Sequence, residues 1–242
     1  MVSNLPQREE FLRKKRNRKM SRRAVEIFLL IFIIGLLSHI FHQPNIRISN
    51  VELSGGVLIT ENDIKEKSLD YIQGSYFWLF PKNNAFLYPS RRLENYLKET
   101  FKRINTINIK LKDLETISIN ITERKPVAVW CDKMPTSEDE GVLSSAERMC
   151  YFLDNSSTIF AEAPQFSGNA YFKYYGLITA DNPIGLNYIA STTEFNDIEN
   201  FIEAVKQLSF GPSHLVAKGN DEFSLFISGG GQIYFIHNRV QT

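Results

Sequence analysis

A block of positive charge followed directly by an apolar run is the feature that most constrains this chain. Between positions 13 and 23 there is no acidic residue, and Ala24 to Phe41 carries Glu26 as its only formal charge. As a helix this run would span about 27 Å, close to the roughly 30 Å hydrocarbon core of a bilayer. The sequence therefore predicts one transmembrane helix over residues 24–41. The basic residues of the block are Arg13, Lys14, Lys15, Arg16, Arg18, Lys19, Arg22 and Arg23.

The basic block also predicts the orientation of that helix. Positive flanks stay on the cytoplasmic side, so residues 1–23 are expected to be a cytoplasmic tail of a single-pass, type II protein of the cytoplasmic membrane. About 200 residues would then lie outside the cytoplasm. A cleaved signal peptide is the first alternative, but the apolar run is long and residues 38–42 lack a small-residue cleavage site. A buried core helix is the second, but the run has no polar stripe.

The net charge of +1 is the sum of a positively charged N-terminal segment and a negatively charged remainder. Residues 1–23 carry a net charge of +7 and the remainder carries −6. The block is interpreted as a topology signal with affinity for the lipid bilayer. Nucleic-acid binding is not expected, because the rest of the chain is mildly acidic and has no basic stripe.

The two cysteines, Cys131 and Cys150, are too few for a disulfide-stapled scaffold. They flank a polar excursion at 132–149, between segments predicted to be strands. If those strands pair, a disulfide would close the neck of the excursion; the alternative is two buried thiols. No Cys/His cluster has zinc spacing, so neither a metal nor another cofactor is expected.

An α+β fold is predicted outside the membrane. Residues 46–53 alternate as a strand, Thr60 with Asp63 opens a helix, and a second helix runs over 90–101. A hairpin follows, with strands around 107–111 and 117–121. The order β-α-α-β-β defines a first domain at 46–125.

From Pro126 the pattern changes to short strands, at 127–130, 151–153, 158–160, 223–227 and 233–236. One helix is predicted over 194–208, with Phe195, Ile198, Ile202, Val205 and Leu208 on one face. The last two strands are joined by a glycine turn. Residues 126–242 are thus predicted to be a second, β-rich domain with one helix and an insertion at 132–149.

This order of parts, with the segment Glu123-Arg124-Lys125-Pro126-Val127-Ala128, resembles the FtsQ/DivIB family of bacterial division proteins. The resemblance covers roughly residues 10–236. It implies that 46–125 is a POTRA domain and that the protein sits at the division septum. It also implies partners: single-pass division proteins of the FtsB/FtsL type, and septal cell-wall synthesis proteins. Asp154 matches the turn that opens the second domain of the family.

The chain departs from the family at three places. The turn at 112–115 lacks a proline, residues 132–149 are an insertion, and the sequence stops at Thr242 before the edge that pairs with FtsB. We therefore expect a truncated or divergent member, and that partner site is not carried over.

The motif residues Glu123, Arg124 and Pro126 have two interpretations. They are candidates for partner binding. Alternatively, Pro126 ends strand pairing, and Glu123 with Arg124 forms a solvated turn pair worth at most about 1 kcal/mol.

The sequence shows no nucleophile or metalloprotease motif, so a non-enzymatic scaffold with no small-molecule substrate is predicted. It would link early and late septal proteins by strand addition and surface pairing at exposed sheet edges. The alternative is an extracytoplasmic ligand-binding or sensory domain that uses the aromatic stretch 166–175, which is otherwise expected to be core and edge strand. A chaperone module of an outer-membrane assembly factor is not favoured, because neither a barrel nor repeated units are seen.

Overall fold

The computed structural model describes residues 5–132, 149–164, 170–176, 178–219 and 221–236. Most of the insertion at 132–149, Phe166 of the aromatic stretch and His237 lie outside the described residues. The side chain of Lys14 lies outside them as well. The protein is a mixed α+β protein with one long apolar N-terminal helix and a β-rich remainder, which confirms the predicted class.

Four helices and twelve strands make up the described chain. The helices are α1 (Leu5–Phe41), α2 (Glu61–Tyr71), α3 (Ser90–Thr100) and α4 (Thr192–Gln207). The strands in the first half are β1 (Asn50–Ser54), β2 (Ser75–Tyr76), β3 (Phe80–Pro81), β4 (Ile104–Leu111), β5 (Thr116–Glu123) and β6 (Ala128–Cys131). Those in the second half are β7 (Cys150–Leu153), β8 (Ile159–Ala163), β9 (Phe172–Gly176), β10 (Pro212–Gly219), β11 (Glu222–Ile227) and β12 (Gly231–Ile236).

Helix α1 is continuous from the basic block into the apolar run. Its segment Lys15–Phe41 is long and apolar enough to cross a membrane, and none of its most apolar window is buried in the protein. The basic side chains at 13, 15, 16, 18, 19, 22 and 23 are all exposed. Length and composition therefore agree with the predicted span.

The chain divides into two compact units. The first comprises Met1–Leu97 with Asn108–Asn120, and the second comprises Lys98–Ile107 with Ile121–Thr242. The domain boundary drawn between residues 125 and 126 from the sequence stays a prediction.

A three-stranded sheet has the order β1-β5-β4, in which β1 runs parallel to β5. The capping of α2 is as predicted: Thr60 Oγ1 accepts a hydrogen bond from the Asp63 backbone N–H at 3.2 Å.

Strand β1 begins at Asn50 rather than Ile46, because residues 44–46 form a 3-10 turn. On α2, Leu69 is half-buried and Ser68 is fully buried. The buried apolar residues of the first unit include Val51, Ile64, Ile72, Leu93, Leu97, Ile117 and Ile119.

A seven-stranded sheet in the second unit has the order β12-β11-β10-β9-β6-β7-β8. Strand β9 is parallel to both β6 and β10, and the remaining pairs are antiparallel. Helix α4 packs on one face of this sheet through its predicted apolar side, except that Leu208 lies beyond the helix and is exposed. The main core of the unit includes Ala128, Trp130, Leu153, Tyr174, Phe195, Ile198, Leu215 and Leu225.

Candidate functional site

Arg124, one of the predicted partner-binding residues, forms an ion pair with Asp154 inside the second unit. Its guanidinium donates to Asp154 Oδ2, and its Nε donates to the Lys102 carbonyl at 3.1 Å. The Arg124 side chain is 20% exposed and that of Asp154 is 4% exposed. A buried carboxylate needs a charged partner and further hydrogen bonds, and Arg124 supplies the charge.

The second oxygen of Asp154 organises the turn between β7 and β8. Asp154 Oδ1 accepts from the backbone N–H groups of Ser156 and Thr158, each at 2.9 Å. Ser157 occupies this turn with a φ of +62° and is fully buried. Its hydroxyl donates to the Ile189 carbonyl at 2.6 Å and accepts from the Ile189 N–H at 3.0 Å. The ion pair therefore holds a buried polar turn in place.

The interpretation of Arg124 as half of a solvated turn pair is wrong, because its ion-pair partner is the buried Asp154. Glu123 ends β5 and is half-buried, as is Pro126, which lies between β5 and β6. Partner binding by Glu123, Arg124 and Pro126 stays a prediction. Sequence reasoning singled out both Arg124 and Asp154 but did not join them, since 30 positions separate them.

Cys131 and Cys150 are opposite residues in the antiparallel pair of β6 and β7. A disulfide joins them, with their Cα atoms 4.1 Å apart. It stands at the end of the strand pair from which the excursion at 132–149 departs.

The strand order places β12 and β8 at the edges of the seven-stranded sheet, and β1 and β4 at the edges of the three-stranded sheet. Along β12 the side chains alternate. Phe235 packs against Phe201 and Phe223, whereas Tyr234 and Ile236 are exposed. Lys218 lies with its Nζ 4.6 Å from the centre of the Tyr234 ring. Edge strands of this kind can accept an added strand.

The aromatic stretch 166–175 contributes mainly to the core within the described residues 170–175. Tyr174 and Tyr175 are buried, while Tyr171 and Phe172 are half-buried beside an open cavity of about 630 Å³. The Tyr174 hydroxyl donates to Glu199 Oε1, and burial raises the pKa of the Glu199 carboxyl. This buried pair was not predicted, because nothing in the sequence links β9 to α4.

His214 is the histidine with the most constrained surroundings in the described part of the chain. Its ring stacks on Phe226 at 4.4 Å and meets the edge of Tyr175 at 5.5 Å. Nδ1 lies 3.0 Å from Ser213 Oγ, and Nε2 is buried with no hydrogen-bond partner among the described residues. Burial, and secondarily the charge of Lys173, lowers the pKa of His214 below its usual 6.5.

We expect this lowered pKa to make the second unit less stable in mild acid. The unfolded chain binds a proton near pH 6.5 and the folded chain only at lower pH, so stability is full above pH 6.5 and falls as pH drops towards the folded pKa. The loss is at most about 1 kcal/mol, because the ring is only half-buried. Urea unfolding of wild type and His214→Phe across this window measures it. If the free energy of unfolding changes equally with pH in the two proteins, the prediction is contradicted. The raised pKa of Glu199 changes stability with pH in the opposite direction, but it does so in both proteins and cancels in the comparison.

Within the described ranges, no group of three or more His, Cys, Asp or Glu side chains is placed to hold a metal ion. No protein-family model matches the chain, and no curated protein matches it significantly.

Proposed function

We propose that this protein is a membrane-anchored, non-enzymatic scaffold of the bacterial division machinery, of the FtsQ/DivIB type. The observation that carries the proposal is the order of its parts. One helix, long and apolar enough to span a membrane and basic at its N-terminal side, precedes a three-stranded and a seven-stranded sheet, each with edge strands. Such an arrangement suits a protein that is held at a membrane and binds other proteins.

Two further features support this assignment. If the short β2–β3 hairpin between α2 and α3 is set aside, the elements from β1 to β5 run in the order β-α-α-β-β, which is the order expected of a POTRA domain. Arg124 of the family motif also forms an ion pair with Asp154. The Cys131–Cys150 disulfide fits a location outside the cytoplasm, where disulfides persist. We accordingly propose that the tail 1–23 lies in the cytoplasm and that the residues after Phe41 lie on the opposite side of the cytoplasmic membrane, at the division septum.

The proposed mechanism is recognition at exposed edge strands. A partner segment that adds to β12, or to another edge, would gain main-chain hydrogen bonds, while exposed side chains such as Tyr234 and Ile236 give selectivity. Confinement to the membrane plane raises the effective concentration of other membrane proteins around the scaffold. The proposed partners are single-pass proteins of the FtsB/FtsL type and septal cell-wall synthesis proteins.

Depletion of the protein from its host is expected to give filamentous, undivided cells, because early and late septal proteins would no longer be linked. Microscopy during depletion measures cell length. Expression of the full chain should restore division, and a matched chain whose residues 24–41 come from an unrelated single-pass protein should restore it too. Normal division after clean deletion, with no redundant copy, would contradict the proposal.

A ligand-binding or sensory domain is the second candidate, and the cavity near Tyr171 and Phe172 favours it. Glu199, Glu203 and Lys206 contribute polar groups to its lining. Affinity capture from solubilised membranes separates the two candidates. A scaffold should recover division proteins, whereas a sensor should recover none of them and gain thermal stability with a small molecule.

A further inference from the structure

Two aromatic residues occupy the tip of the short hairpin formed by β2 and β3. Tyr76 pairs with Phe80, and the Leu79 N–H donates to the Tyr76 carbonyl at 3.0 Å. Phe77 and Trp78 lie between them with φ values of +49° and +60°. Such φ values suit Asn or Gly and are unfavourable for bulky side chains. A turn with these φ values would normally contain Asn or Gly, but here it contains Phe77 and Trp78.

Both rings point away from the core of the first unit. Trp78 is 95% exposed and Phe77 is 84% exposed, and Leu79 beside them is 39% exposed. An exposed group of large apolar side chains marks a surface that contacts another molecule or a membrane. We call residues 77–79 the hairpin tip.

The hairpin tip is fastened to the last turn of α1. The Ser38 hydroxyl donates to the Leu79 carbonyl at 2.6 Å, and the rings of Phe41 and Phe80 meet edge to face at 5.8 Å. Ser38 precedes the end of α1 by three residues, which is about 5 Å along the helix axis. The tip thus lies level with the end of the apolar run. If α1 spans a bilayer, the end of that run lies where the hydrocarbon core gives way to lipid headgroups.

A third exposed aromatic residue, Phe86, is held near the same end of the helix through Asn84. Asn84 donates through Nδ2 to the Phe41 carbonyl at 3.1 Å, and its Oδ1 accepts from the Phe86 N–H at 2.9 Å. Phe86 is 66% exposed. Exposed aromatic side chains therefore gather around the C-terminal end of α1, as they do in the aromatic belts of membrane proteins.

We propose that the hairpin tip inserts into the membrane interface of the leaflet nearest the C-terminal end of α1. This inference rests on the proposed membrane anchor and adds a second attachment to it. Trp78 and Phe77 would reach the boundary between headgroups and acyl chains, where amphipathic rings are favoured. The attachment adds contact with the lipid to the contacts that already join the hairpin to α1, and so restricts the orientation of the first unit at the membrane surface.

The test uses Trp78 as its own reporter, because Trp78 and Trp130 are the only tryptophans in the sequence. The full chain with Trp130→Phe is reconstituted in phosphatidylcholine–phosphatidylglycerol vesicles whose acyl chains are brominated near the glycerol or near the methyl end. We expect Trp78 emission to be shifted to the blue, to lose most of its intensity with shallow bromines, and to resist aqueous iodide. If Trp130→Phe fails to fold, the difference between wild type and Trp78→Phe gives the same signal.

A reference variant separates this inference from the proposed anchor. In a Trp78→Phe, Trp130→Phe background, Phe32→Trp places a single tryptophan in the middle of the apolar run. Deep bromines should quench it most. If they do and Trp78 is quenched by iodide but not by bromolipids, the hairpin inference is overturned and the anchor stands. If deep bromines leave Phe32→Trp unquenched, the anchor itself fails and the inference falls with it.

Discussion

Replacing Arg124 with methionine is expected to lower the free energy of unfolding of the second unit by about 3 kcal/mol, the lower end of the range for breaking a buried ion pair. The variant leaves the Asp154 carboxylate buried without its charged partner, while two backbone N–H groups still bind its other oxygen. The lower figure applies because Arg124 retains some exposure. Urea titration of the full chain in detergent measures the change, with Trp130 fluorescence as the signal in a Trp78→Phe background.

Two comparisons make this experiment specific. Lys125→Met removes an adjacent, exposed positive charge and should change stability by less than about 0.5 kcal/mol. Arg124→Met combined with Asp154→Asn should be more stable than Arg124→Met alone, because the amide is neutral and can still accept from both N–H groups. Equal stability of Arg124→Met and Lys125→Met would show that the ion pair does not support the fold.

Loss of the disulfide is expected to have an effect of similar size. Cys131 and Cys150 are 19 positions apart, and closing a loop of that length restricts the unfolded chain by about 3 kcal/mol in the chain-entropy model. The variant Cys131→Ala, Cys150→Ala avoids placing a hydroxyl at the buried position 131. Its urea midpoint, read from Trp130, should fall below that of the oxidised wild type.

The reduced wild type is the matched control for this prediction. Reduction should lower the midpoint of the wild type by a similar amount and leave the double-alanine variant unchanged. A wild-type midpoint that does not respond to reduction would contradict the prediction.

Local patterns were enough to predict most of the elements. The Thr60–Asp63 cap, the apolar spacing of Leu93 and Leu97, and the alternation in β4 and β5 each depend on residues a few positions apart. The periodic spacing of apolar residues and the hydrogen bonds of helix caps both involve residues only a few positions apart. These elements were accordingly placed to within a few residues of their observed bounds.

Strand partners could not be predicted in the same way. Strand β9 pairs with β6, about 44 positions earlier, and with β10, about 41 positions later. Strand β1 pairs with β5 across 66 positions. Alternation reports which face of a strand is buried, but it does not identify the neighbouring strand. The sequence therefore implied a β-rich second unit without its sheet order.

The same limit applied to the polar groups and to the hairpin tip. Arg124 and Asp154 both stand out in the sequence as motif residues, but their pairing depends on how the end of β5 and the β7–β8 turn meet in space. The run 76–80 is apolar, and apolar residues are usually buried. Only the backbone of the turn shows that Phe77 and Trp78 face outwards.

The sequence by itself determined that a basic block leads into one apolar helix of membrane-spanning length, and that an α+β remainder follows. Charge and hydrophobicity along consecutive residues are sufficient for this, because a membrane span is a property of one continuous segment. Tertiary structure alone decided that the hairpin tip lies beside the last turn of α1 and that Asp154 neutralises Arg124. Both depend on contacts between segments that are distant in sequence, and such contacts form only when the core within each unit packs.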